Sequence, residues 1–135
     1  MNNENSLAVP LFGEILALDQ LMRNRLAKVL PKGMELSHFS VLNQLSHTKN
    51  ERTPAQIAKS FRVTRGAMTN TLNKLELSGY IHVRPDWEDA RRKMVSISPA
   101  GMVARNNALA AVTPIIRDLA QDMGEERLKA IVPIL

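Results

Sequence analysis

Residues 53–101 read TPAQIAKSFRVTRGAMTNTLNKLELSGYIHVRPDWEDARRKMVSISPAG, and the order of signals in that stretch decides the fold. Thr53-Pro54 sets a capping hydroxyl before a proline at the first helical position, a strong helix start. The helix it opens is short, to about Phe61, with Ile57, Ala58 and Phe61 inward. Thr64 caps the next helix, where Met68, Leu72 and Leu75 recur at i, i+4 and i+7 as an apolar stripe. Gly79 is a left-handed stop. Residues 80–84 and 94–97 alternate apolar and polar side chains and predict two strands, joined by the charged link PDWEDARRK. A short helix, a tight turn, a polar-faced helix and a basic hairpin make a winged helix-turn-helix. That arrangement lays one helix in a DNA major groove with a basic loop beside it.

Outward from this centre the chain is helical. Leu7, Leu11, Ile15, Leu21, Met22, Leu26, Val29 and Leu30 fall at helical spacing and predict a helix over residues 7–30, ended by Pro31 and Gly33. Ser37 reads as the N-cap of a second helix that buries Val41, Leu42 and Leu45, and a small strand is expected near Leu36 or Arg52. Beyond the hairpin, Ser98-Pro99 repeats the cap-plus-proline signal and opens a helix of small apolar residues. Pro114 is expected to kink or restart it, because proline removes a hydrogen bond and clashes with the preceding turn. Gly124 then separates a last helix over residues 125–135. The fold class is mainly α with a small β-hairpin wing. It divides into a DNA-binding lobe over residues 36–98 and dimerisation helices over residues 1–35 and 99–135.

Composition fits this reading and excludes others. The 135 residues suffice for one domain, and 44% hydrophobic content is that of a folded chain. With 4% aromatics, the core must be built from Leu, Ile, Val, Ala and Met. The chain has no Cys, which excludes disulfides, thiolate zinc sites and thiol redox sensing. His38, His47 and His82 have no ligand spacing with acidic residues, so no metal is expected. The start MNNENSLAVP lacks a signal peptide's basic and apolar runs, and no run of apolar residues is long enough to cross a membrane. A cytoplasmic location is the expectation. No nucleophile elbow, phosphate loop or paired catalytic carboxylates occur, so neither enzyme activity nor a cofactor is expected. The net charge is +5, and residues 59–93 hold eight Lys and Arg against four Asp and Glu, +4 of that excess. A local basic excess is the electrostatic footprint of phosphate contact.

Candidate contacts follow from the helix opened by Thr64. The face opposite its apolar stripe presents Arg65, Gly66, Thr69, Asn70 and Asn73 near the N-terminus. Polar helix faces usually carry Lys and Glu; Thr and Asn are poorer helix formers and need another reason to be there. Arg and Asn suit bidentate contact with guanine and adenine, so Arg65, Thr69, Asn70 and Asn73 are candidates to read base edges. Arg62, Thr64, Lys74 and Arg84 are candidates for the phosphate backbone. In the wing, Arg91, Arg92 and Lys93 are the basic contacts, with Arg91 and Arg92 able to enter a minor groove. Asp86 and Asp89 would hold those arginines in place, and Trp87 is a packing or tip residue.

The stretch VTRGAMTNTLNKLELSGYIHVRPDWEDARRKMVSISPAG, with PAQIAKSF before it and LSHFSVLNQL earlier, resembles the MarR family of bacterial transcription regulators. Leu75 and Gly79 match the family's helix end, Arg84 with Asp89 and Arg91 its wing, and Ile97, Ser98 and Gly101 its closing motif, with Ser98 in the usual Thr position. The resemblance implies a homodimer of interdigitated terminal helices that binds double-stranded DNA at near-palindromic operators. It also implies a repressor released by a small-molecule effector, held between the first, second and fifth helices. Pro114 and the short segment after Gly124 depart from the pattern where the dimer forms. The alternative is a winged helix used for protein–protein contact, which should carry aromatic or aliphatic anchors on the exposed helix face.

Overall fold

A computed structural model describes residues 3–48 and 50–124. The elements run α1 (Asn3–Val29), α2 (Leu36–His47), α3 (Pro54–Phe61), α4 (Arg65–Leu77), β1 (Ile81–Pro85), β2 (Lys93–Ile97) and α5 (Pro99–Met123). They group into two compact units, one over residues 31–110 and one over residues 1–30 with 111–135. Among the described residues, no helix is long and apolar enough to cross a membrane.

The first unit is the winged helix-turn-helix lobe. Its core joins Val41, Leu42 and Leu45 of α2, Ile57 and Ala58 of α3, Met68, Leu72 and Leu75 of α4, and Ile81 and Val95 of the hairpin. Leu42, Ile57 and Val95 are fully buried. β1 and β2 pair antiparallel from Ile81↔Ile97 to Pro85↔Lys93. Arg52 makes an isolated bridge to Val95, its N–H donating at 3.0 Å and its carbonyl accepting at 2.7 Å. The link between α2 and α3 is thereby tied to the wing.

Local chemistry explains the boundaries. Thr53 Oγ1 accepts from Gln56 N–H, and Gln56 Oε1 accepts from Thr53 N–H, a reciprocal capping box. Thr64 Oγ1 accepts from Ala67 N–H at 3.2 Å. Between these helices Arg62 takes the left-handed conformation, φ 54°, so the tight turn is made without a glycine. Gly79, φ 77°, ends α4. Ser98 Oγ accepts from Gly101 N–H and donates to the Gly79 carbonyl at 2.6 Å, tying the start of α5 to the end of α4. Gly101 is obligatory there, since a Cβ would lie 2.0 Å from the Tyr80 carbonyl oxygen.

Two boundary expectations are corrected. α2 is capped at Glu35, not Ser37, and the Glu35 N–H donates to His38 Nδ1 at 3.1 Å. Burial lowers the His38 pKa, opposed by Glu35 and aided by Lys74, which favours the neutral ring that this bond requires. α5 runs unbroken through Pro114 to Met123, with no restart. Ala110, whose carbonyl Pro114 leaves without its helical partner, is exposed, so water can satisfy it. The strand expected near Arg52 is the bridge to Val95, and Leu36 begins a helix. The last helix expected over residues 125–135 lies outside the described residues.

The second unit holds α1 and the later part of α5. Leu26, Leu30, Val112 and Leu119 are buried. Leu7, Leu11, Phe12, Ile15 and Leu16 of α1 are more than half exposed.

Candidate nucleic-acid interface

With Met68, Leu72 and Leu75 buried, α4 turns Arg65, Thr69, Asn70 and Asn73 to solvent. Among the described residues, none of these four side chains is engaged by another protein group. Their donors and acceptors are available to a partner. Arg65, Thr69 and Asn73 line a cleft of about 570 Å³ whose opposite wall carries Arg91, Arg92 and Lys93 of the wing. Asn70 lies outside that cleft, on the solvent face of the same helix.

The wing is braced by its own carboxylates. Asp86 N–H donates to the Arg92 carbonyl and Asp86 Oδ1 accepts from Glu88 N–H, closing the turn. Asp86 Oδ2 lies 3.8 Å from Arg92 Nε. Asp89 Oδ1 accepts from both the backbone N–H and the Nε–H of Arg91, each at 3.1 Å. The Arg91 side chain, then its backbone N–H, holds the Asp89 carboxyl below the usual carboxylate range. Such solvent-screened pairs add little to stability. Their effect is geometric, because each carboxylate orients an arginine that stays exposed.

The residues expected on phosphates are differently placed. Arg62 is exposed at the helix-turn-helix corner, and Thr64 uses its hydroxyl as a helix cap. Lys74 lies beside His38, Ser78 and Tyr80 in a separate hollow from the wing cleft. Arg84 has every guanidinium nitrogen engaged. Nε–H and Nη2–H donate to Glu51, and Nη1–H donates to the Pro85 carbonyl at 2.8 Å. A phosphate contact by Arg84 would require that arrangement to open. Sequence reasoning missed Glu51; its one signal is that it is the single acid in the polar link HTKNER.

Among the described residues, no group of His, Cys, Asp and Glu could hold a metal ion. Unpaired Arg, Thr and Asn on a helix N-terminus beside a basic braced hairpin define a winged helix-turn-helix of the nucleic-acid-binding class. Residues 32–92, from the approach to α2 to the end of the wing loop before β2, match the MarR family. An uncharacterised HTH-type transcriptional regulator of Bacillus subtilis, YdgG, is 25% identical over 127 residues, covering 82% of this chain and 84% of that protein. The fold is similar to that of a mutant of Escherichia coli MarR complexed with operator DNA, with a TM-score of 0.84 at 20% identity over 99% of this chain and 96% of that one. It is also similar to BldR of Sulfolobus solfataricus, a transcriptional regulator (TM-score 0.83, 24% identity, 99% and 97% covered). A third likeness is to Staphylococcus aureus MepR in complex with DNA (0.80, 19%, 88% and 88%). The lobe is thus a winged helix-turn-helix whose residues 32–92 match the MarR family, and the chain is similar in fold to solved transcriptional regulators of that kind.

Proposed function

We propose that this regulator binds a near-palindromic operator as a homodimer and represses transcription until a small-molecule effector releases it. The observation that carries the DNA reading is the unengaged set Arg65, Thr69, Asn70 and Asn73 on the exposed face of α4. Arg65, Thr69, Asn70 and Asn73 read base edges. Arg62, Thr64 and Lys74 position the lobe on phosphates, and Arg91, Arg92 and Lys93 serve the wing. MarR and MepR, to which the fold is similar, have been seen on operator DNA and on DNA respectively, which supports the same partner here.

Support for the dimer comes from α1. Its exposed Leu7, Leu11, Phe12, Ile15 and Leu16 make an apolar surface of the kind that marks an interface. A two-fold dimer sets the half-sites about one helical turn, roughly 34–36 Å, apart. The cleft between α4 and the wing has the volume of a small-molecule site, and anything seated there would compete with DNA. Against a protein–protein module, the exposed start of α4 carries Arg, Thr and Asn instead of aromatic or aliphatic anchors.

The test is fluorescence anisotropy of the chain against the DNA upstream of its own gene and a scrambled duplex, at two salt concentrations. A preference for the upstream DNA of about 10³ or more, with a steep salt slope, is expected. Equal binding to both duplexes would reduce the lobe to a basic surface.

A further inference from the structure

Arg84 of β1 occupies an arrangement that none of the expected DNA contacts explains. Its Nε–H reaches both Glu51 oxygens, at 3.0 and 2.9 Å, and its Nη2–H reaches Oε1. The pair is half-sheltered, with 33% and 31% of the two side chains exposed. Arg84 Cζ lies over the Trp87 ring, 5.0 Å from its centroid and within cation–π range. Trp87 is itself 81% exposed and sits in the wing turn, two residues before Asp89 and four before Arg91. The neighbouring Arg52 bridges to Val95, so the α2–α3 link grips the hairpin by backbone and by side chain.

A glutamate in this place runs against the lobe's electrostatics. Every carboxylate on a DNA-binding lobe opposes a polyanion. A carboxylate that forks a guanidinium also removes that cation from the set available to phosphates. A forked, planar guanidinium is immobile in a way a lone arginine is not, and it offers a fixed platform to an aromatic ring.

We infer that Glu51 and Arg84 are positioning residues for DNA binding: the Glu51 carboxylate fixes the Arg84 guanidinium, the guanidinium carries the Trp87 ring, and the ring sets the angle at which the wing presents Arg91 and Arg92. The inference rests on the reading that the wing meets DNA.

The test uses the full chain and the variants Glu51→Gln and Arg84→Lys. Binding to the upstream duplex is measured at two salt concentrations, and the anisotropy of Trp87, the single tryptophan, is measured without DNA. Loss of one acid raises the net charge from +5 to +6, so charge alone predicts tighter binding by Glu51→Gln. Positioning predicts the opposite: about fivefold or more weaker binding, with a salt slope shallower by about one unit for each phosphate the wing no longer reaches. Trp87 anisotropy falls in the same variant, because the ring has lost its platform. Arg84→Lys keeps the charge but not the fork and behaves alike, and the double variant is no weaker than the weaker single. Equal or tighter binding by Glu51→Gln overturns the inference, and so does unchanged Trp87 anisotropy. If circular dichroism finds Glu51→Gln unfolded, Arg84→Lys decides by the same two readouts. A wild-type chain that binds neither duplex would instead remove the DNA reading, an outcome seen before any variant is made.

Discussion

Helices α1 and α4 both carry apolar side chains at helical spacing, but they dispose of them in opposite ways. α4 buries Met68, Leu72 and Leu75 in the lobe and leaves its polar face unengaged. α1 leaves Leu7, Leu11, Phe12, Ile15 and Leu16 in water. An apolar stripe that is satisfied within the chain frees the opposite face for a polar partner. An apolar stripe left exposed requires a second apolar surface, and a second copy of the same chain supplies one at no cost in new sequence. On the proposed function, one helix meets DNA and the other a second copy of the chain, from the same kind of periodicity.

The contrast can be broken at either end. In the lobe, Leu42→Ala removes a fully buried side chain at the centre of the core. A loss of about 2–5 kcal/mol in urea unfolding is expected, whereas an exposed α1 leucine changed to alanine costs far less. In α1, Ile15→Glu should halve the mass in sedimentation equilibrium while the lobe's circular dichroism is preserved. Operator affinity should then fall by about a hundredfold, because the two half-sites are no longer linked. A dimer that survives Ile15→Glu would move the interface elsewhere. In the wing, Arg92→Ala should weaken binding to all sequences and flatten the salt slope by about one unit. An unchanged slope would take Arg92 out of the interface.

The smallest effect expected is that of pH on the start of α2. The folded-state pKa of His38 is lowered from 6.5 by burial, so the unfolded chain takes up the proton first. The neutral ring's contribution is present above 6.5 and is lost as pH falls towards the folded value. The melting temperature should therefore drop between about pH 7.5 and about pH 5.5 by more in the wild type than in His38→Gln. Glutamine keeps an acceptor for the Glu35 N–H and does not titrate.

The lobe is legible in the sequence because its signals are local. Thr53, Pro54 and Thr64 cap helices through groups three residues away, and Gly79 needs only its own φ. The start of α2 is harder to read because the acceptor for Glu35 is a histidine ring, which lies outside the usual Ser, Thr, Asp and Asn pattern. Pro114 resembles an interruption in the sequence because its solvent exposure, which makes the missing hydrogen bond tolerable, is a tertiary fact. At the interface, the composition of the α4 face and the acid–arginine spacing of the wing can be read from short stretches. The Glu51–Arg84 pair cannot, since its partners are 33 residues apart and join only when the hairpin folds back on the α2–α3 link. For the same reason Arg84 passes for a phosphate contact in the sequence.

Base reading by α4 is tested most directly by pairing Asn70→Ala with single base-pair substitutions through a footprinted operator. The expected result is a loss of about 1–3 kcal/mol of discrimination at one base pair per half-site, with the other positions unchanged. Equal weakening at every position would mean that Asn70 holds only backbone, and would contradict sequence reading by the exposed face of α4.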